Sequence, residues 1–250
     1  MHLEGKTVLI TGGATGIGKA IALKFASHGA NIVINYSKSE KEAEAALKEV
    51  EQKGVKGLLC RADVSVDEQV RNMVDQVVSA FGRIDVLVNN AGTTRFVALS
   101  DLEGLTEDIW DRIFAVNVKG LFFTSRACAP ELVRNRGHIV NITSIAGFSG
   151  QGSSMAYAAS KAAAISITRS FARVLAPDVR VNSVAPGVVI TRWVEGQDEH
   201  VKSFANTNPC GRAATPEDVA DAVWALVCGG RFITGQTLVV DGGWSLNCIS

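Results

Sequence analysis

This chain has no long apolar run, no metal-ligand cluster, no paired-cysteine frame and no excess of either charge. No stretch approaches the roughly 18 apolar residues that cross a bilayer, and Met1-His2-Leu3-Glu4-Gly5-Lys6 lacks the apolar core of a signal peptide. A cytoplasmic protein with no membrane partner is expected. The five cysteines, Cys60, Cys128, Cys210, Cys228 and Cys248, are odd in number and show no Cys-x-x-Cys spacing. They read as small core hydrophobes rather than a disulfide framework. The four histidines, His2, His28, His138 and His200, are scattered, so no metal is expected. Twenty-five cations balance 25 anions, which argues against a nucleic-acid partner held by bulk electrostatics. Repeats, low-complexity tracts and Pro/Gly linkers are also missing, so residues 1–250 read as one domain.

What the chain does have is an alternation. Seven short β-branched runs stand at Thr7–Thr11, Asn31–Asn35, Gly57–Arg61, Asp85–Asn89, His138–Ile142, Val179–Val184 and Thr237–Val240. Most are apolar on both faces, as in Val86-Leu87-Val88, the mark of strands covered on both sides. Between them apolar residues recur at helix spacing: Ile17, Ile21, Phe25; Val70, Met73, Val74, Val77; Ile109, Ile113, Val116. The pattern predicts an α/β fold, a doubly wound seven-stranded parallel sheet with helices on both faces. The piece from Val188 to Pro216 reads as irregular and long, the character of a substrate lid over about 188–215.

The first strand runs into Thr11-Gly12-Gly13-Ala14-Thr15-Gly16-Ile17-Gly18 and then a helix. Glycines in a strand–turn–helix let backbone N–H groups and a helix N-terminus take a pyrophosphate. Alone they could be mere turn residues. After the second strand the run is Asn35-Tyr36-Ser37-Lys38, with no acid before Glu40. A carboxylate there would bind the adenosine ribose and select NAD. Ser37 and Lys38 instead suit a 2′-phosphate, so NADP(H) is expected, with NAD(H) as the alternative. Asp63 and Val64 follow the third strand, where a carboxylate can accept from the adenine amino group. Asn90, Ala91 and Gly92 follow the fourth, where small residues admit the nucleotide.

Tyr157 and Lys161 are four apart in an alanine-rich helical stretch and share a face. An ammonium about 4 Å from a phenol favours the phenolate by about 4 kcal/mol at an effective dielectric near 20. That is about three pKa units, enough to expect general acid–base work from Tyr157. Ser144, after the fifth strand, can donate to a substrate oxygen as charge develops. Asn117, polar among apolar neighbours inside a long helix, must be satisfied and could hold a water leading to Lys161. Each has a plainer reading: an exposed Tyr and Lys, and a packing Asn.

Together these residues resemble the short-chain dehydrogenase/reductase family over nearly the whole chain. They are Thr11-Gly12-x3-Gly16-Ile17-Gly18, Asp63, Asn89-Asn90-Ala91-Gly92, Asn117, Ser144, Tyr157-x3-Lys161, Pro186-Gly187 with Thr191, and Asp241-Gly242-Gly243. The resemblance implies a single-domain Rossmann fold, the tetrad Asn117, Ser144, Tyr157 and Lys161, and a homotetramer packed through its long helices and last strand. It implies that Lys161 also holds the nicotinamide ribose, and that Val189 and Thr191 contact the nicotinamide end. Within the family the chain is most similar to 3-oxoacyl-(acyl-carrier-protein) reductases, through Asn35-Tyr36-Ser37, Asn208-Pro209-Cys210-Gly211-Arg212 and Ile233-Thr234-Gly235-Gln236. The implied reaction is reduction of a ketone to a secondary alcohol, with acyl carrier protein as a partner. Arg134, Arg136 and Arg173 are candidates for that acidic partner. An alcohol, sugar or steroid dehydrogenase and a non-catalytic NAD(P)H sensor are the alternatives. Trp193, Gly147–Met155 and Thr93–Phe96 are expected to line the substrate pocket, Phe96, Phe148 and Trp193 as apolar wall and Gln151 as a polar contact.

Overall fold

A computed structural model describes residues 3–249. Seven strands form one parallel sheet: β1 (Thr7–Ile10), β2 (Asn31–Tyr36), β3 (Gly57–Arg61), β4 (Val86–Asn89), β5 (His138–Ile142), β6 (Arg180–Pro186) and β7 (Thr237–Val240). Their order is β3-β2-β1-β4-β5-β6-β7, every pairing parallel. All seven expected strands are present, with ends shifted by up to two residues. β6 extends to Pro186, which faces Val240 at the end of the ladder, a place where a missing N–H costs least.

Among the described residues nine α-helices connect the strands: α1 (Gly16–Ala26), α2 (Glu40–Glu51), α3 (Asp67–Phe81), α4 (Glu107–Phe114), α5 (Leu121–Asn135), α6 (Ala146–Ser149), α7 (Met155–Leu175), α8 (Asp198–Thr207) and α9 (Pro216–Cys228). Because strand side chains alternate, each strand feeds two cores. Val8 and Ile10 pack with Ile21 and Phe25 of α1 and Val219 and Val223 of α9. Leu9, between them, joins Val70, Met73 and Val77 of α3 and Leu132 of α5 on the other face. This is why β1 reads as apolar throughout.

Three expectations change. The stretch 188–216 is not irregular: it holds a short 3₁₀ turn, Arg192–Val194, and the ten-residue α8. In α8 only Val201, Phe204 and scattered alanine are apolar, so its helical stripe is thin. The long helix through Asn117 is not uniform; Ala115–Gly120 is a π-turn between α4 and α5. Of the cysteines, Cys60 and Cys128 are buried, but Cys210 is exposed and Cys228 only half-buried. Cys210 follows Pro209 in a tight turn, with its N–H on Gly242 O. The side chain of Cys248 lies outside the described residues, as do His2 and the side chain of His200.

The chain leaves β1 toward β2 on one side, while β4 lies on β1's other side. In open α/β sheets the crevice at such a switch point, outside the strands' C-terminal ends, is where ligands bind.

Candidate active site

The glycine turn after β1 is held by its own Thr11 and by side chains from the two neighbouring strands, Asn35 of β2 and Asn90 just after β4. Asn90 donates through Nδ2 to Thr11 O at 3.0 Å and Gly12 O at 2.9 Å. Thr11 Oγ1 accepts from the N–H groups of Asn90 and Ala91, each at 3.0 Å. Asn35 accepts from Gly12 N and donates to Cys60 O and Ala62 O. Gly12 and Gly16 have φ of 61° and 53°, the left-handed region. Thr15 caps α1 without a side-chain bond, so the first N–H groups of α1 stay available to an anion. This cradle fits a pyrophosphate.

Among the described residues one cavity of about 900 Å³ runs from this turn along the strand ends. Of the residues predicted from sequence, Gly12, Thr15, Gly16, Ile17, Asn35, Tyr36, Ser37, Lys38, Asp63, Val64, Asn90, Ala91, Gly92, Ser144, Tyr157, Lys161, Pro186, Gly187, Val189 and Thr191 all line it. Gly18 and Asn117 do not. A β-carbon on Gly18 would stand 2.5 Å from Asn90 Nδ2 and closer still to Gly12 O. Gly18 therefore serves close packing of α1 against the turn. Asn35 and Tyr36 also differ from expectation. Asn35 is buried with its amide committed to backbone, and Tyr36 donates to Glu40 Oε1 at 3.3 Å. Both shape the wall.

At the other end Tyr157 and Lys161 project from α7 on one face. Ser144 stands two residues beyond β5, and its hydroxyl bonds Tyr157 and accepts from Ala146 N at 3.1 Å. Lys161 is buried, and its ammonium donates to Ile142 O at 2.8 Å. Its Nζ lies 5.6 Å from the centre of the Tyr157 ring. The expected lowering of the phenol is not seen. Burial pushes Tyr157 up to about 12, with the Ser144 bond alone pulling the other way. Burial likewise pulls Lys161 down to about 8. Desolvation is the largest cause at Tyr157 and the cause at Lys161, whose ammonium is engaged by Ile142 O.

Asn117 works inside the wall. Its Oδ1 accepts from Thr93 N at 2.8 Å, and its Nδ2 donates to Thr93 O and to Ser160 Oγ, each at 3.0 Å. Ser160 in turn donates to Tyr157 O at 2.7 Å. A β-carbon on Gly92 would fall 3.5 Å from Asn117 Oδ1 and 3.8 Å from Lys161 Nζ. These are ordinary contact distances, so Gly92 borders both side chains. Asp63 is already engaged: burial raises its carboxyl, but Ser65 and Arg112 outweigh that and hold it below the usual range.

Sequence reasoning missed several cavity residues. Arg112, Ser39, Arg192, Leu99 and Phe204 line it. Their signal is weak because each lies in a loop or on a helix with no local motif. Trp193 lines it as expected and meets Tyr157 edge-on at 6.2 Å. Phe148 does not line it; it is 54% exposed, on the outer side of α6. The three candidate arginines also lie elsewhere. Arg134 and Arg136 end α5, next to the start of β5, at the opposite edge of the sheet. Arg173 is twelve residues along α7 from Lys161, about 18 Å at 1.5 Å per residue. No group of three potential metal ligands occurs among the described residues.

Comparison with known proteins adds independent findings. A family profile described as enoyl-(acyl carrier protein) reductase matches residues 12–245. A protein named as ketoacyl reductase 2 of the granaticin polyketide synthase of Streptomyces violaceoruber is 41% identical over 96% of each chain. The 3-oxoacyl-(acyl-carrier-protein) reductase FabG of Thermotoga maritima is 39% identical, covering 97% of this chain and 99% of its own. The crystal structure of a short-chain dehydrogenase from Burkholderia cenocepacia in complex with NADP matches with a TM-score of 0.90. It is 38% identical, over 98% of this chain and all of that one.

Proposed function

The chain belongs to the short-chain dehydrogenase/reductase family, and from that premise we propose that it reduces a 3-oxoacyl thioester to the 3-hydroxyacyl form with NADPH. It is an NAD(P)-dependent oxidoreductase, most similar to 3-oxoacyl-(acyl-carrier-protein) reductases. The observation that carries the proposal is the continuous cavity joining a pyrophosphate cradle to Ser144, Tyr157 and Lys161.

When bound, the reduced nicotinamide supplies a hydride to the carbonyl carbon. The chain does the rest. Ser144 donates to the carbonyl oxygen and fixes its direction, so that its bond strengthens as negative charge grows there. Tyr157 gives its proton to that oxygen. Burial keeps the phenol protonated at neutral pH, the state a donor needs. Lys161 sets an ammonium beside the phenolate that remains and favours it. Asn117 and Ser160 hold Thr93 and the Tyr157 backbone in place. Phe96, Leu99 and Trp193 give the substrate end an apolar wall, with Gln151 at its polar edge.

The 2′-phosphate of NADPH is matched by Ser37 and Lys38, and Asp63, the one carboxylate lining the cavity among the described residues, is paired with Arg112. We assign the segment 188–215 to a lid, since Thr191 and Trp193 touch both ends of the cavity. Acyl carrier protein as donor of the thioester rests on the names of the relatives. A homotetramer is supported by exposed Phe122 on α5 and Val174 on α7, the long helices that the resemblance places between subunits. A cytoplasmic location fits a chain in which no helix among the described residues is long and apolar enough to cross a membrane.

The test is loss of NADPH absorbance with acetoacetyl-CoA, repeated with NADH and with the Tyr157→Phe variant. Turnover is expected with NADPH, slower turnover with NADH, and a loss of at least 10²-fold in Tyr157→Phe with cofactor affinity kept. No thioester turnover alongside tight NADPH binding would overturn the substrate assignment.

A further inference from the structure

Among the described residues, four cations line the cavity: Lys38, Arg112, Lys161 and Arg192. Arg112 is spent on Asp63 at 3.1 Å. Lys161 is buried at the chemical end on Ile142 O. Lys38 and Arg192 remain, and neither is paired with a carboxylate. Arg192 belongs to the 3₁₀ turn of the 188–215 segment, far from Lys38 in sequence. Its Nη1 nevertheless reaches across the cavity to Ser39 Oγ at 3.3 Å. Ser39 is the residue after Ser37-Lys38 and the N-cap of α2, where its hydroxyl makes no capping bond. The Gly12–Gly18 turn opposite carries no cation.

We infer that Arg192 is a specificity-determining residue for NADP, contributing its guanidinium to the 2′-phosphate from the lid side while Ser37 and Lys38 contribute from the sheet side. The placement has three supports. A guanidinium offers paired donors suited to phosphate oxygens. Its neighbour Thr191 packs on the glycine turn, with Cγ2 3.3 Å from where a Gly16 β-carbon would stand, so the turn's position is fixed beside the cofactor cradle. The next acid in sequence, Glu40, is bonded by the Tyr36 hydroxyl at 3.3 Å and does not line the cavity, and Asp63, which does, is paired with Arg112. Ser39 then holds Arg192 in the bound direction before the phosphate arrives.

The inference rests on the NADP reading of Ser37 and Lys38, and the experiment separates the two. Wild type, Arg192→Ala, Arg192→Lys and Lys38→Ala are compared by kcat/KM for NADPH and NADH and by inhibition with 2′,5′-ADP against 5′-ADP. Arg192→Ala is expected to lose about 10- to 100-fold for NADPH and 2′,5′-ADP, the worth of a charge-assisted bond. NADH and 5′-ADP should change less than about twofold, and Arg192→Lys should recover part of the loss. Equal losses for both cofactors would move Arg192 to the pyrophosphate and overturn the inference, as would no loss at all. In either case a wild type that still prefers NADPH, and a Lys38→Ala that loses the preference, keeps the Ser37/Lys38 reading. A wild type indifferent to the 2′-phosphate, with 2′,5′-ADP no better than 5′-ADP, overturns both.

Discussion

At the scale of single residues, the proposed chemistry depends on what burial does to groups that sequence spacing merely places together. Tyr157 and Lys161 were legible because a four-residue step puts two side chains on one helix face. The direction of the phenol's shift was not legible. It follows from desolvation of Tyr157, and the ammonium itself is held by a third partner, Ile142 O. No local pattern reveals a carbonyl 19 positions away. Ser144 is the group that touches the phenol directly. Ser144→Ala removes that bond and the donor to the carbonyl oxygen. The expected loss in kcat is about 10²–10³-fold, the usual worth of one oxyanion donor. Stopped-flow hydride transfer at saturating substrate checks it, alongside fluorescence titration of NADPH. Cofactor affinity should stay within about twofold because Ser144 stands at the substrate end. A loss under tenfold would assign the carbonyl to another donor.

At the scale of elements, the strand–turn–helix of β1 and α1 was legible as a whole, since its glycines are punctuation inside an otherwise periodic segment. Their separate duties were not. Gly12 and Gly16 supply left-handed backbone, whereas Gly18 supplies closeness. The π-turn at Asn117 and the helix α8 were also hidden. A π-turn changes no residue type that sequence periodicity records, and α8 has too few apolar residues for a stripe. The packing duty of Gly18 gives a prediction. Gly18→Ala adds a methyl that cannot fit between Gly12 O and the Asn90 amide without parting α1 from the turn. Overpacking of this kind costs about 1–3 kcal/mol. The same displacement opens the pyrophosphate cradle. We expect a lower urea midpoint and at least a tenfold weaker Kd for both NADPH and NADH. A variant as stable as wild type, with unchanged cofactor affinity, would show that the helix has room to spare.

At the scale of the whole molecule, the two edges of the sheet have different work. The C-terminal edge holds the cavity, and the N-terminal edge holds charge. There Asp85 is fully buried and bonded by Arg83, Lys6 and the Thr7 N–H. Arg134 and Arg136 lie on that side too, which is why a sequence search for cations near the active site misplaced them: loops at the two ends of a strand look alike in composition. His138 opens β5 in this cluster, and its buried Nδ1 has no hydrogen-bond partner among the described residues. Burial, aided by Arg180 beside it and opposed by Asp85, lowers its pKa to about 4, against about 6.5 in an unfolded chain. Between those values the unfolded state holds a proton that the folded state does not, so stability rises with pH and falls on acidification. The paired Asp85 and Asp218 carboxyls are held below the usual value, Asp85 against the pull of its burial and Asp218 by Arg212. Their own losses therefore fall below about pH 4. Urea midpoints for wild type and His138→Gln from pH 7 to 4.5 isolate the histidine. The wild type should decline more steeply, by up to about one proton of slope, and both should bind cofactor alike at pH 7 because the site is at the other edge. Parallel curves would mean that His138 takes up its proton in the folded protein, and that the charge cluster around Asp85 rearranges to receive it.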